Sequence, residues 1–297
     1  MYKVNNDENL ESPHEWQNYR RKICGRFLLF MKGGSFLYHK NRNKERGNNM
    51  KKEIKDWNFD MFERKVINLT NWDLYEILKR IVDKDSKILD LGTGGGEKVL
   101  KYFPDCKEIL ATDYSKAMIK TAKENLKKSG RKNITFRVMD NLKMDVPENY
   151  FDVVVARHTV TDPKQILKCL KKGGYLLIRG VDKYDCWSLK LTFGKGQGFK
   201  DLKPISIIDY EHVLDAGFKD VELVPIHEVE YYKDRTQFKE FLKKVPILDD
   251  FSEEEEDTKD YYKKDINDDL LDKYISKNTY NGKIKIIRRY YGIIAKK

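Results

Sequence analysis

The amino-acid sequence predicts a doubly wound α/β sheet, on three observations. Short apolar runs alternate with helical stretches from about residue 71 onward. The Val153-Val154-Val155 run is apolar on both faces, which suits a strand buried inside a parallel sheet. The first apolar run, Lys87-Ile88-Leu89-Asp90-Leu91, leads straight into the glycine loop Gly92-Thr93-Gly94-Gly95-Gly96. Such alternation is the signature of strands joined by crossover helices.

The elements follow in order. Trp57, Phe59, Phe62 and Val66 suggest a helical lead-in, and Leu74, Ile77, Leu78 and Ile81 have helical spacing within Asn71 to Val82. After the first strand and its loop comes a short helix, Glu97 to Phe103. Ile109 to Asp113 is a second strand. Ser115 caps a helix that turns Met118, Ile119, Ala122 and Leu126 inward and stops at Gly130. Ile134 to Val138 and Phe151 to Ala156 are strands three and four. Asp162-Pro163 opens a helix as N-cap and first residue, Gly173-Gly174 closes it, and Tyr175 to Arg179 is strand five. A helix from Ser206 to Ala216, a strand from Val221 to Val224, two helical stretches and a last strand from Lys283 to Ala295 complete the pattern. The acidic run Asp249 to Asp257 between those helical stretches reads as a solvated loop.

Composition narrows the function. The 297 residues are 40% hydrophobic, with 14 Phe and 18 Tyr, so a large core is available. The net charge of +11 is spread over helix faces rather than clustered, which makes nucleic acid possible but not favoured as a partner. Cys24, Cys106, Cys169 and Cys186 show no CxxC spacing, so neither a metal site nor a disulfide framework is expected, and a reducing cytoplasm fits. No apolar run reaches the roughly 20 residues of a membrane span. Residues 1–49 carry ten basic and five acidic side chains and little periodicity, and are expected to be a poorly ordered extension. Two readings of it stand. It is a genuine extension, or the natural start is Met50, because Lys44 to Met50 can be encoded as a purine-rich, bacterial-type ribosome-binding tract before a start codon. The folded domain is then 50–297.

The glycine loop carries the chemistry. Glycines there allow a sharp turn and let a ligand approach bare backbone. The dinucleotide fingerprint GxGxxG needs a third glycine where Glu97 stands, whereas GxGxG is met by Gly92, Gly94 and Gly96. Asp113 ends the second strand about twenty residues further on, where a carboxylate can accept from ribose hydroxyls. Asp140 follows the third strand, where a carboxylate can accept from the exocyclic amine of an adenine.

The segments ILDLGTGGG, ATDYSKAMIKTAKENL, FRVMDNLKMDVPENYFDVVVAR and LKKGGYLLIRG resemble successive motifs of the class I S-adenosylmethionine (SAM) dependent methyltransferases. The small-molecule group that includes the ubiquinone/menaquinone-biosynthesis C-methyltransferases is the most similar, over about residues 85–180. The resemblance implies a Rossmann-like seven-stranded sheet ordered 3-2-1-4-5-7-6, with strand seven antiparallel. It also implies SAM as cofactor: Asp90, Gly92, Thr93, Gly94 and Gly96 at the methionine part, Asp113 and Tyr114 at the ribose, Asp140 and Asn141 at the adenine, and Arg157 alongside.

Methyl transfer is an in-line displacement, and a general base is needed only where the acceptor must lose a proton. His158, just after strand four, is the candidate. The Asn/Asp-Pro-Pro-Tyr tetrapeptide of exocyclic-amine methyltransferases is absent, the sequence there being Ala156-Arg157-His158-Thr159, and no cysteine motif of C5 methyltransferases stands out. A cytoplasmic enzyme acting on a small-molecule acceptor is therefore expected. An RNA or protein methyltransferase and a non-enzymatic SAM-fold binding module are the alternatives, while Glu97 and Asp140 argue against a nicotinamide oxidoreductase. Tyr184 to Phe199, and a helical lid inserted over about 227–281, are expected to shape the acceptor pocket, with Trp57 and Phe62.

Overall fold

The computed structural model describes residues 62–248 and 265–297. The extension at 1–49, Trp57, Phe59, Cys24 and the acidic run lie outside the described residues. The chain runs through β1 (Arg64–Asn68), α1 (Leu74–Ile81), β2 (Lys87–Leu91), α2 (Glu97–Tyr102), β3 (Glu108–Asp113), α3 (Lys116–Ser129), β4 (Ile134–Val138), β5 (Phe151–Arg157), α4 (Pro163–Cys169) and β6 (Leu170–Val181). It continues through α5 (Trp187–Phe193), α6 (Ile205–Asp215), β7 (Lys219–Tyr232), α7 (Arg235–Lys244), α8 (Asp268–Lys277), β8 (Thr279–Tyr280) and β9 (Lys283–Lys296).

These elements form one mixed sheet in which β2 to β6 run parallel and β9 lies antiparallel between β6 and β7. The sheet has nine strands, not the expected seven, in the order β1-β7-β9-β6-β5-β2-β3-β4 with β8 against β9. The two additional strands, β1 and β8, both sit on the β7–β9 pair. β1 corrects the expected helical lead-in. Val66 belongs to a strand, because Arg64 to Asn68 pair antiparallel with Tyr232 to Glu228 and their backbone groups are satisfied there.

Local signals explain most of the ends. Asp73 caps α1, accepting from the N–H groups of Tyr75 and Glu76, and Ser115 caps α3 through Met118 N–H. Asp162 caps α4 with Pro163 in the first turn. Gly173-Gly174 does not close that helix. It lies inside β6, where Gly173 N–H donates to Lys297 O and Lys297 N–H to Gly174 O, so Lys297 is drawn against the sheet.

Two apolar clusters flank the parallel strands. One gathers Leu89, Val154, Ile166 and Leu176, the other Ile88, Ile109, Val155 and Leu177, as the alternation along buried strands requires. A third cluster lies beyond the parallel sheet. There Tyr232, Ile284 and Ile286 of the long antiparallel pair pack with Phe238 and Phe241 of α7 and Tyr274 of α8. β7 and β9 are each fourteen residues long. The expected strand Val221 to Val224 is only the start of β7, which runs on to Tyr232 and carries the chain well past the end of β6. No helix among the described residues is long and apolar enough to cross a membrane.

The segment after β6 also differs from a plain loop. It contains α5, and the side chain of Lys190 is 1% exposed. Its ammonium donates to the carbonyls of Lys183 at 2.9 Å and Gln197 at 2.7 Å, tying both ends of the segment together. Lys190→Met preserves the stem but leaves both carbonyls without this donor, a loss of about 1–3 kcal/mol. The expected result is a lower melting temperature and faster amide hydrogen exchange over 183–199 than elsewhere; unchanged exchange there would contradict the tie.

Candidate active site

The parallel strands aim their C-terminal ends at one cavity of about 520 Å³. One side of it is the glycine loop between β2 and α2. Gly92 N–H and Thr93 N–H both donate to Thr112 O, folding the loop back on β3. Gly92 has φ +74°, and a Cβ there would come within 2.6 Å of Thr159, so the loops after β2 and β5 meet with no room for a side chain. At Gly94, φ +60°, an added Cβ would meet nothing within 4 Å. That backbone faces open space.

Asp113, at the end of β3, is 1% exposed. One carboxylate oxygen accepts from Gly94 N–H at 3.0 Å and the other from Ser115 N–H at 2.8 Å. The acid therefore shapes the loop that the ligand would meet, and burial raises its pKa despite those two bonds. Asn141, on the loop after β4, donates through Nδ2 to Thr159 Oγ1 at 3.0 Å and Val160 O at 3.2 Å. Its Oδ1 is buried and has no hydrogen-bond partner among the described residues. A buried amide oxygen left open is costly, about 1–3 kcal/mol.

Gly92, Thr93, Gly94, Asp113, Tyr114, Asn141, Arg157 and His158 all line the cavity, so the structure brings these sequence-predicted residues together. Three others it does not place on that wall. Gly96 sits behind the loop, where an added Cβ would strike Phe136 at 2.7 Å. Asp140 turns its carboxylate onto its own turn, accepting from Leu142 N–H at 2.9 Å. Asp90 faces a small adjoining pit with Tyr75, Lys98 and Arg157. Burial pushes the Asp90 pKa up to about 7, against the pull of Thr93 and Arg157.

His158 is held rather than free to react. Its backbone is left-handed, φ 54°, and its Nε2 lies 2.9 Å from Arg179 Nη1. The guanidinium can only donate, so Nε2 is the acceptor and the ring is neutral. Burial, together with the nearby Arg179, Arg157 and Arg288, drives its pKa well below the ordinary value. Taking a proton would break that bond and set an imidazolium against a guanidinium. This geometry opposes the general-base role and makes His158 a positioning residue for Arg179.

The other side of the cavity comes from residues the sequence reading did not single out. In an antiparallel pair, opposed residues point to the same face. The pairs Val66↔Glu230, Glu228↔Arg288 and Val181↔Tyr290 thus put these side chains on one face of the sheet, with Arg179 two positions before Val181. Arg288 clasps Asp185 through two nitrogens at 2.9 and 3.1 Å, and its third lies 3.5 Å from Glu230. Tyr232 donates to Glu230 at 2.6 Å and Arg179 to Glu228 at 2.9 Å. The visible signal is alternation: Glu228 and Glu230, then Arg288 and Tyr290, recur at every second position of their strands. Phe241, Pro246 and Ile247 close the cavity from α7 and the turn after it.

Comparison with known proteins agrees with the loop geometry. Residues 82–200 match the methyltransferase domain family. The chain is 26% identical over 107 residues to YcgJ of Bacillus subtilis (strain 168), described as an uncharacterized methyltransferase, covering 34% of this chain and 42% of YcgJ. The crystal structure of YcgJ aligns with a TM-score of 0.48 at 16% identity, over 75% of this chain and 96% of YcgJ. The ubiquinone/menaquinone biosynthesis C-methyltransferase UbiE of Rickettsia akari (strain Hartford) is 25% identical over 187 residues, 57% of this chain and 71% of UbiE. The sequence match thus spans under half the length of YcgJ.

The raised pKa of Asp90 makes stability depend on pH. The folded protein binds this proton more tightly than the unfolded chain, so stability is full below pH 4 and falls as pH rises toward about 7. Asp90→Asn removes that penalty. Its melting temperature should exceed wild type at pH 8 by on the order of 2–4 °C per kcal/mol recovered, with the gap closing toward pH 4. An equal difference at both pH values would mean Asp90 is not the group responsible.

Proposed function

We propose that the protein transfers a methyl group from SAM to a small-molecule acceptor. The observation that carries this is the shared cavity: Gly94, Asp113 and Asn141 line the same space as a second, charged wall. Its volume, about 520 Å³, lies within the range of small-molecule sites, roughly 300–1,000 Å³. The likeness to UbiE, named for quinone biosynthesis, supports a small acceptor.

On this reading Gly92, Thr93 and Gly94 hold the methionine part of SAM, Asp113 and Tyr114 the ribose, and Asn141 the adenine. Asn141 Oδ1 accepts from the exocyclic amine, a role its geometry suits better than that of Asp140. Asp90 acts through the loop from behind, Gly96 lets α2 pack closely, and Arg157 sits between the cofactor and acceptor sides. SAM supplies an electrophilic methyl carbon on a sulfonium. The chain's own task is to align the acceptor with that carbon and exclude water, which orientation alone makes effective. Of the expected 227–281 lid, α7 and the turn after it cover the acceptor side through Phe241, Pro246 and Ile247, and the protein works in the cytoplasm.

Calorimetric titration of SAM, S-adenosylhomocysteine and NADH tests the cofactor. Both adenosyl ligands should bind, and Asp113→Ala should weaken them at least about tenfold, equivalent to roughly 1.4 kcal/mol. NADH alone binding, or neither adenosyl ligand binding to folded protein, would contradict the proposal. Transfer of label from methyl-labelled SAM to compounds in a small-molecule cell extract separates an enzyme from a binding module, which would transfer none.

A further inference from the structure

We propose that Arg179 and Tyr290 receive a compact anionic acceptor, one that carries a carboxylate or phosphate oxyanion near the methylated atom. The inference rests on the methyltransferase reading above and names the substrate class of the same cavity.

Arg179 has five N–H bonds, of which one meets His158 Nε2 and one meets Glu228 Oε1, both at 2.9 Å. It makes no other hydrogen bond among the described residues, yet it lines the cavity. Three N–H bonds are left for a ligand. The guanidinium is already oriented: His158 and Glu228 hold its two ends, and its carbon lies 4.1 Å from the centroid of the Tyr290 ring. A fork fixed in this way is suited to bidentate contact with a carboxylate or phosphate.

Tyr290 supplies a second donor. Its ring also lies 5.1 Å, centroid to guanidinium carbon, from Arg288 and meets the His158 ring edge-on at 5.8 Å. Its hydroxyl has no hydrogen-bond partner among the described residues and lines the cavity. Burial raises the phenol pKa, so the group stays protonated and donates.

Charge points the same way. Each acid on this wall is already matched: Asp185 by Arg288 and by Arg289 N–H, Glu228 by Arg179, and Glu230 by Tyr232, Arg288 and Arg64. Arg157 adds a cavity-lining guanidinium with no ion pair among the described residues. The unfilled capacity is therefore donor and cationic. A hydrocarbon tail here would desolvate these groups without pairing them, at a cost of several kcal/mol. An oxyanion would satisfy them.

The test titrates protein saturated with S-adenosylhomocysteine with inorganic phosphate and, separately, with benzoate. Wild type, Tyr290→Phe and Arg179→Lys are compared. At least one anion should bind wild type, and each variant should weaken it about tenfold. S-adenosylhomocysteine affinity in Tyr290→Phe should stay within about twofold, because the ring and its packing remain. Preference for phosphate or for benzoate identifies the type of oxyanion. Binding of neither anion at up to about 50 mM, or equal affinity in all three proteins, would overturn the proposal. If S-adenosylhomocysteine itself does not bind, the cofactor reading has failed and the acceptor inference falls with it. Melting temperatures of the variants show whether each has folded.

Discussion

The antiparallel pairing of β7 with β9 is the constraint on which the rest of the molecule depends. Their register continues from Glu222↔Ile294 to Tyr232↔Ile284, whereas β6 meets β9 only as far as Val181↔Tyr290. The pair therefore overhangs the parallel sheet at the end where its strands open toward ligand. An overhanging ribbon has unpaired edges and an uncovered face. β1 and β8 pair with its backbone, and α7 and α8 cover its apolar part. The face between α7 and the glycine loop is left lining the cavity, and it is there that the charged side chains stand.

Those charges are costly to fold around. Arg288 is 7% exposed, Asp185 2% and Glu230 2%. Removing such ions from water costs several kcal/mol each, and their mutual attraction offsets this only with good geometry. The double contact of Arg288 with Asp185 has that geometry, while the Arg64–Glu230 contact at 3.7 Å is loose. A cluster chosen for stability alone would be apolar, as the neighbouring Phe238, Phe241 and Tyr274 are. Its charged character makes better sense as preorganisation: donors fixed in place before a ligand arrives need little reorganisation afterward. His158 belongs to the same arrangement. Its neutral ring holds one end of Arg179, and Glu228 holds the other.

The legible part of the molecule was the part encoded locally. Ser115 and Asp162 cap helices through residues two or three positions away. The glycine loop follows its strand directly, and Asp113 ends the next strand, so their meeting at Gly94 N–H could be anticipated from the spacing. The choice between Asp140 and Asn141 could not. Both stand at the same strand end, and only the bond to Leu142 N–H shows that the acid turns away while the amide turns in. The charged wall was illegible for a different reason. Glu228 faces Arg288 only because of a register set sixty residues apart, and Asp185 reaches Arg288 from over a hundred residues away. Val66 shows the same limit, since its strand exists only through pairing with Glu230.

The central claim is that the glycine loop and the charged wall serve two ends of one reaction. The most direct test is a crystal structure of the protein with S-adenosylhomocysteine bound. The account predicts the adenine against Asn141, the ribose at Asp113, and the sulfur directed across the cavity toward Arg179 and Tyr290. A ligand bound with its sulfur turned away from that wall, or seated outside the cavity, would contradict it.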